Sequence, residues 1–316
     1  MKKLIALLLG VLLAVALVGC KAAPAETDAT PAEGKKIVIG IAMDSMEDFN
    51  VYIMNGFNAY AEANKDKVEI LVSDADYDSA AQISSVENFV SNKVDVIIIK
   101  AVDSEGCGTI SDCCKEAGIP LVVVNTPITS PYDCLVGSDN VNCGIIQGEY
   151  AAKLLGNKGN IAILYGDPGH DGSRSRTEGV QSVVDANPDM TVVSTQTGNW
   201  SRDEGMKIAE NWIQSGMEID AILSNNDEMA IGAMLAYEDA GLPMTILGVD
   251  ALPEACELIE AGRLTGSVFQ DGYTQAYTAM DAAVKLASGE AVDNYIEVPF
   301  ELVIKDNAAE YAAKYK

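Results

Sequence analysis

From Lys36 onward the chain alternates two hydrophobic rhythms. Short runs rich in Val and Ile recur at Ile37–Met43, Val68–Val72, Val94–Ile99, Leu121–Val124, Ile161–Leu164, Thr191–Ser194, Ala221–Leu223, Ile246–Val249 and Ser267–Phe269. Most are continuously apolar, the pattern of strands buried on both faces of a parallel sheet. Between them lie stretches of helical period, among them Asp78–Ser91 and Ser104–Ala117. The second runs into Gly118-Ile119-Pro120, a glycine stop with a proline beyond it. Alternating strands and helices with right-handed crossovers predict a doubly wound α/β architecture. So many strands are wide for one sheet, so two α/β lobes are expected, with Gly137-Ser138-Asp139-Asn140 as a crossover near the middle.

One helix start carries more than fold. Ser201-Arg202-Asp203-Glu204 reads as a capping box, with Ser201 at the N-cap and Glu204 at N3. Trp200 then precedes the cap, where a hydrophobic residue usually staples onto position N4. That position is Gly205, which has no side chain to receive it. A Trp at a strand-to-helix turn of an α/β protein lies on the rim where such sheets bind ligands, so Trp200 is read as a contact surface. Trp212, between Ile208 and Ile213, is read as core.

Ahead of this region the pattern changes twice. Met1-Lys2-Lys3 is followed by an apolar run, Leu4–Val18, of about 15 residues, which suits a signal h-region better than a spanning helix. It ends in Leu17-Val18-Gly19-Cys20, which resembles a bacterial lipobox. That resemblance implies a signal peptide over 1–19 and a lipidated Cys20 that anchors without spanning. Lys21–Lys36 is rich in Ala, Pro, Thr and Glu, and a flexible tether is expected over 20–35.

Charge and the remaining chemistry narrow the function. The formal net charge is −26, which disfavours nucleic acid and anionic ligands in general. Cys107, Cys113, Cys114, Cys134, Cys143 and Cys256 fit either disulfides or buried reduced thiols. There is no phosphate-binding GxxxxGK[ST], no GxGxxG after a strand and no GxSxG elbow. With His170 as the one histidine, a multi-histidine metal site is ruled out. His170 lies in Gly166-Asp-Pro-Gly-His-Asp-Gly-Ser-Arg-Ser-Arg176, a Gly/Pro-rich loop that also carries two of the chain's scarce arginines.

These features together resemble the sugar-binding proteins of periplasmic type I that feed ABC importers. Val102-Asp-Ser104, Gly137-Ser-Asp-Asn140, Ser224-Asn-Asn-Asp-Glu-Met-Ala-Ile-Gly232 and Gly248-Val-Asp-Ala-Leu-Pro-Glu-Ala255 are similar to stretches in ribose- and galactose-type members. The likeness covers Lys36 to Lys305. "GDPGH" and "GVDALPEA" look most like the galactose/glucose- and inositol-binding branch. The related sensory domains of LacI-type repressors begin with a DNA-binding helix-turn-helix, which has no counterpart here.

The resemblance implies two lobes joined by a multi-strand hinge, with the ligand in the cleft between them. The first lobe would comprise 36–138 and 271–296, the second 139–270 and 297–316. Asp48 would hydrogen-bond the sugar, and an aromatic at Phe49, or the neighbouring Asn50, falls where a ring stacks on it. Asn125, His170, Arg176, Asn226, Asp250 and Gln270 match polar contacts, and Trp200 the stacking Trp of the second lobe. Two departures from the branch bear on which sugar is bound: Gly172 stands where the branch carries an acid, and the first-lobe aromatic is shifted by one position. A calcium-binding insertion is replaced by the short turn Gly156–Gly159, so no metal and no cofactor are expected.

The chemistry suits a small neutral sugar or polyol. Aromatic faces sandwich apolar C–H faces, while carboxylates, amides and an Arg fork serve a belt of hydroxyls. The expectation is an extracytoplasmic, lipid-anchored monomer that captures a hexose or cyclitol by hinge closure and delivers it to an ABC permease. Pentoses stay open because the "NDEMA" stretch is shared with the ribose branch. Plainer roles also stay open: Asn226 and Asp250 as helix caps, Arg174 and Arg176 as surface charges, His170 as an idle loop residue. The rival functions are a sensor subunit with the same pocket and a carbohydrate-active enzyme using a carboxylate pair such as Asp48 and Asp250.

Overall fold

The computed structural model describes residues 35–46 and 49–314. The expected signal peptide, the tether, Cys20, Glu47 and Asp48 lie outside them. Among the described residues the strands form two six-stranded sheets. The first contains β1 (Ile37–Met43), β2 (Val68–Asp74), β3 (Val96–Ile99), β4 (Leu121–Asn125), β5 (Cys134–Gly137) and β11 (Tyr295–Glu297), in the order β11-β5-β4-β3-β1-β2. The second contains β6 (Lys158–Tyr165), β7 (Asp189–Thr197), β8 (Ala221–Ser224), β9 (Thr245–Asp250), β10 (Gly266–Phe269) and β12 (Glu301–Val303), in the order β12-β10-β9-β8-β6-β7. All pairings are parallel except β10 with β12. The two-lobed α/β expectation is borne out.

The continuous apolar runs are buried because helices cover both faces of each sheet. β3, β4, β8 and β10 are buried along their whole length. In the first sheet, Ile39, Ile41, Val96, Ile98 and Val122 pack with Ile53 and Phe57 of α1 (Asn50–Ala63) and with Ala276, Ala279 and Met280 of α9 (Gly272–Ala287). Ile97, Ile99 and Val123 face the other way, onto Val86 and Phe89 of α2 (Ser79–Ser91) and onto α3 (Gly108–Ala117). In the second sheet, one face meets α4 (Asn140–Leu155) and α5 (Asp171–Asp185) and the other meets α7 (Asp227–Asp239). Trp212 of α6 (Arg202–Ser215) is core, as expected, and its indole N–H donates to Ser194 Oγ at 3.1 Å.

Several local expectations need correction. β5, β11 and β12 were not visible as strands, because four residues with a Cys and a Gly, or three residues, carry too little pattern. α3 begins at Gly108, not Ser104. Asp103 Oδ1 accepts from the amides of Glu105 and Gly106 at 2.8 and 3.1 Å, and that turn competes with the helix. Only half of the expected capping box forms. Ser201 Oγ accepts from Glu204 N at 3.4 Å, but the Glu204 carboxylate reaches Lys207 instead. The glycine stop holds: Gly118 has φ +68. All six described cysteines are free.

The chain passes between the sheets three times: from β5 into α4, from β10 into α9, and from β11 to β12. The first passage is Gly137-Ser138-Asp139, with Asp139 capping α4 through the amides of Val141 and Asn142. Gln275 of α9 ties the passages to the first sheet. Its Oε1 accepts from Asn125 Nδ2 at 2.8 Å, and its Nε2 donates to Ser138 Oγ at 2.7 Å. Ser138 Oγ in turn donates to the Val298 carbonyl.

Candidate functional site

The C-terminal ends of the parallel strands of both sheets converge on one cavity, the place where open α/β sheets bind ligands. Asp44, Phe49 and Asn50 follow β1, Tyr77 follows β2, Lys100 follows β3 and Asn125 ends β4. From the second sheet, His170 and Arg176 follow β6, Trp200 follows β7, Asn226 and Glu228 follow β8, Asp250 and Leu252 come from β9, and Gln270 follows β10. About 550 Å³ of atom-free space lies between them. Eight of the nine expected contact residues line this cavity; the ninth, Asp48, is outside the described residues.

Backbone strain concentrates at its walls. Non-glycine residues rarely adopt positive φ, yet Tyr77 has φ +60, Asn125 +65, Trp200 +66 and Asp250 +111. Such conformations persist only where surrounding contacts over-determine them, and they cluster at ligand-binding surfaces. At Trp200 the contact is visible: Asn226 Nδ2 donates to the Trp200 carbonyl at 2.9 Å. Asn226 Oδ1 meanwhile accepts from Met229 N at 3.0 Å and caps α7. The capping role considered for Asn226 is therefore real, and the same side chain holds the Trp. Asp250 does not cap its helix, because α8 (Pro253–Glu260) starts after Leu252 with no side-chain cap.

Arg176 is a buried fork and not a surface charge. Nε donates to Asn140 Oδ1 at 3.1 Å, Nη1 to the Asn225 carbonyl at 2.6 Å, and Nη2 to Gln270 Oε1 at 3.1 Å. Among the described residues these partners are all neutral and take three of its five N–H groups. Arg174, by contrast, is at the surface, 3.8 Å from Glu105.

His170 is neither idle nor free to use its nitrogens on a ligand. Nδ1 accepts from Gly172 N at 3.0 Å, which caps α5 and leaves the ring proton of the neutral form on Nε2. Nε2 lies 2.9 Å from Thr126 Oγ1. Burial, then the charges of Lys100 and Arg176, push its pKa well below the usual imidazole value. His170 thus presents a neutral ring to the cavity, edge to face with Trp200.

Sequence reasoning did not single out Asp44, Tyr77, Lys100, Glu228 or Leu252. Asp44 and Lys100 form a buried ion pair, and Asp44 Oδ1 also accepts from Ser45 N and Asn50 Nδ2 at 2.8 and 3.0 Å. Burial raises the Asp44 carboxyl above its usual range, against the pull of Lys100. A usable signal existed: each is a charged residue directly after an apolar strand. Asn50 Oδ1 is buried without a hydrogen-bond partner among the described residues. Glu228 is gripped by Arg202, through Nε at 2.7 Å and Nη2 at 2.9 Å. Among the described residues no cluster of three or more His, Cys, Asp or Glu could hold a metal ion.

Residues 39–291 match the family described as periplasmic binding protein domain. The chain is 38% identical over 309 residues, 94% of this chain and 98% of the relative, to a Rhizobium meliloti protein named for rhizopine binding. It is 32% identical over 274 residues, 85% of this chain and 77% of the relative, to a Mycolicibacterium smegmatis xylitol-binding protein. Its fold superposes on a Bacillus halodurans ABC-transporter solute-binding protein with bound myo-inositol, with TM-score 0.87 and 40% identity, covering 90% of this chain and 100% of that one. A Caulobacter myo-inositol-binding protein in complex with myo-inositol follows at TM-score 0.82 and 28% identity, covering 88% and 96%. The chain belongs to the type I periplasmic binding proteins, the extracytoplasmic sugar- and polyol-binding components of ABC transporters. It is a binding protein and not an enzyme.

Proposed function

We propose that this protein captures a neutral cyclic polyol of the myo-inositol type in the cavity and delivers it to an ABC permease. The observation that carries this reading is the charge balance of a wall crowded with hydrogen-bonding groups. Among the described residues, Asp44 is paired with Lys100, Glu228 is gripped from behind by Arg202, which also holds Glu254, and Arg176 lines the same cavity as Asp250. A wall balanced in this way favours a ligand without charge, since an ion would leave one charge uncompensated in a buried site. Among the described residues, Arg176 keeps donors beyond its three bonds and Asn50 Oδ1 has no partner, which suits a molecule that both donates and accepts at many positions. Phe49 and Trp200, one from each side, suit its C–H faces. A relative 40% identical in sequence was solved with myo-inositol bound, which favours a cyclitol over an aldose.

In this reading Asp48 adds a further acceptor, and the lobes, 36–138 with 271–296 and 139–270 with 297–316, close on the ligand as a monomer. Cys20 carries a lipid that holds the protein at the outer face of the cell membrane. The test is calorimetric titration of the chain from Lys21 with myo-inositol, glucose, galactose, ribose and xylose. One-to-one binding with myo-inositol the tightest is expected. A sugar bound more tightly would reassign the ligand, and silence across the panel would overturn the polyol reading. Cys20→Ser should move the full-length protein from the membrane to the soluble fraction.

A further inference from the structure

Asp227 is fully buried at the start of α7 and does not line the cavity. One of its oxygens holds the neighbouring turn directly and the other holds it through β10. Oδ2 accepts from Leu252 N at 2.8 Å, and Oδ1 accepts from Ser267 Oγ at 2.6 Å. Ser267 Oγ, on β10, accepts in turn from Ala251 N at 3.0 Å. The turn so held contains two successive non-glycine residues at positive φ, Asp250 at +111 and Ala251 at +53. Left to itself, that turn would relax and carry the Asp250 carboxylate away from the cavity wall.

The surroundings are cut to admit this carboxylate. A Cβ on Gly248 of β9 would overlap Asp227 Oδ1, so the strand has no side chain where the carboxylate sits. A carboxylate buried among neutral donors is an expensive way to fill space. Burial, and the Asp250 carboxylate beside it, push the Asp227 carboxyl well above its usual range. An apolar residue would fill the volume at less cost, but it would leave the Leu252 amide and the Ser267 hydroxyl without the carboxylate that accepts from them.

We propose that Asp227 and Ser267 are positioning residues for ligand binding, which fix the strained turn that presents Asp250 to the polyol. This rests on the functional reading above, in which Asp250 contacts the ligand. Asp227→Asn keeps the shape but offers one acceptor oxygen where two donors converge. Ser267→Ala removes only the relay hydroxyl, and Ser267→Thr keeps it.

The test is a double-mutant cycle read by calorimetry with myo-inositol, with urea unfolding in parallel. Asp227→Asn and Ser267→Ala should each weaken binding by about tenfold, and Ser267→Thr should restore it. In an Asp250→Asn background, neither change should weaken binding further. Equal losses in both backgrounds, unchanged affinity in the single variants, or an Asp250→Asn protein that binds like wild type would overturn the inference while leaving the polyol reading in place. If Asp227→Asn does not fold, the Ser267 series carries the same comparison. A wild-type protein silent to every polyol in the panel would overturn both.

Discussion

Trp200 meets His170 edge to face, with ring centroids 5.2 Å apart and ring planes at 78°. The arrangement fixes the half-buried Trp by one side while its other surface lines the cavity. The indole therefore offers a preordered apolar face to a polyol, with little rotamer freedom left to lose. Trp200→Ala should weaken polyol binding by roughly 10- to 100-fold, since burying a large apolar side chain contributes roughly 1.5–3 kcal/mol. The unfolding midpoint should stay near wild type, because Trp200 is at the edge of the second core and not within it. Calorimetry and circular dichroism on the same sample check both halves, and undiminished affinity would remove Trp200 from the site.

His170 should make the fold sensitive to mild acid. Its folded pKa lies well below 6.5, so as pH falls below 6.5 the unfolded chain takes up a proton that the native state refuses. Stability is then full above about 6.5 and declines as pH falls toward the folded value. His170→Gln lacks this titration while keeping an amide that can accept from Gly172 N. Urea midpoints at pH 7.5 and 5.5 should differ more for wild type than for the variant. Parallel changes in the two proteins would show that other groups set the acid response.

The Asp44–Lys100 pair predicts a non-additive cycle. Both side chains are buried. Lys100→Met strands a carboxylate in the wall and should destabilise the protein by about 3–5 kcal/mol at neutral pH. The loss should shrink on acidification, because a buried Asp44 without its countercharge has a raised pKa, favours the fold when protonated, and loses that advantage as pH rises through its folded value. Asp44→Asn with Lys100→Met should recover most of the stability. Additive losses in a denaturation cycle would mean the two groups do not support each other.

The sequence carried the fold because β3, β4, β8 and β10 are buried on both faces and show it as unbroken apolar runs. The same logic missed β11 and β12, whose three residues each are held by register with longer neighbours and not by their own pattern. Site residues were legible where a motif carried them, as with "GDPGH" and "GVDALPEA". Tyr77 was not, since an aromatic in a turn after a strand has no periodicity to stand out from. Lys100 was hidden by its partner: nothing in sequence joins it to Asp44, and only the adjacency of β1 and β3 does. What each side chain does with its hydrogen bonds was legible nowhere. His170 and Asn226 reached the cavity wall with much of their polar capacity already spent on the protein.

Asn226 allows stability and binding to be separated at one position. Its oxygen caps α7 through Met229 N, and its amide nitrogen holds the Trp200 carbonyl. Asn226→Asp keeps an acceptor for the cap and places a negative charge at a helix N-terminus, where it is tolerated or favourable. It loses the donor to Trp200 and sets a carboxylate against that carbonyl. Asn226→Ala loses both contacts, and the missing cap should cost about 1 kcal/mol. The Asp variant should therefore unfold within about 0.5 kcal/mol of wild type yet bind polyol at least about tenfold more weakly, with altered Trp emission. The Ala variant should lose both stability and affinity. If the Asp variant binds as wild type does, the strained Trp200 backbone is held without Asn226. If it unfolds as readily as the Ala variant, the cap and the tether are not separable.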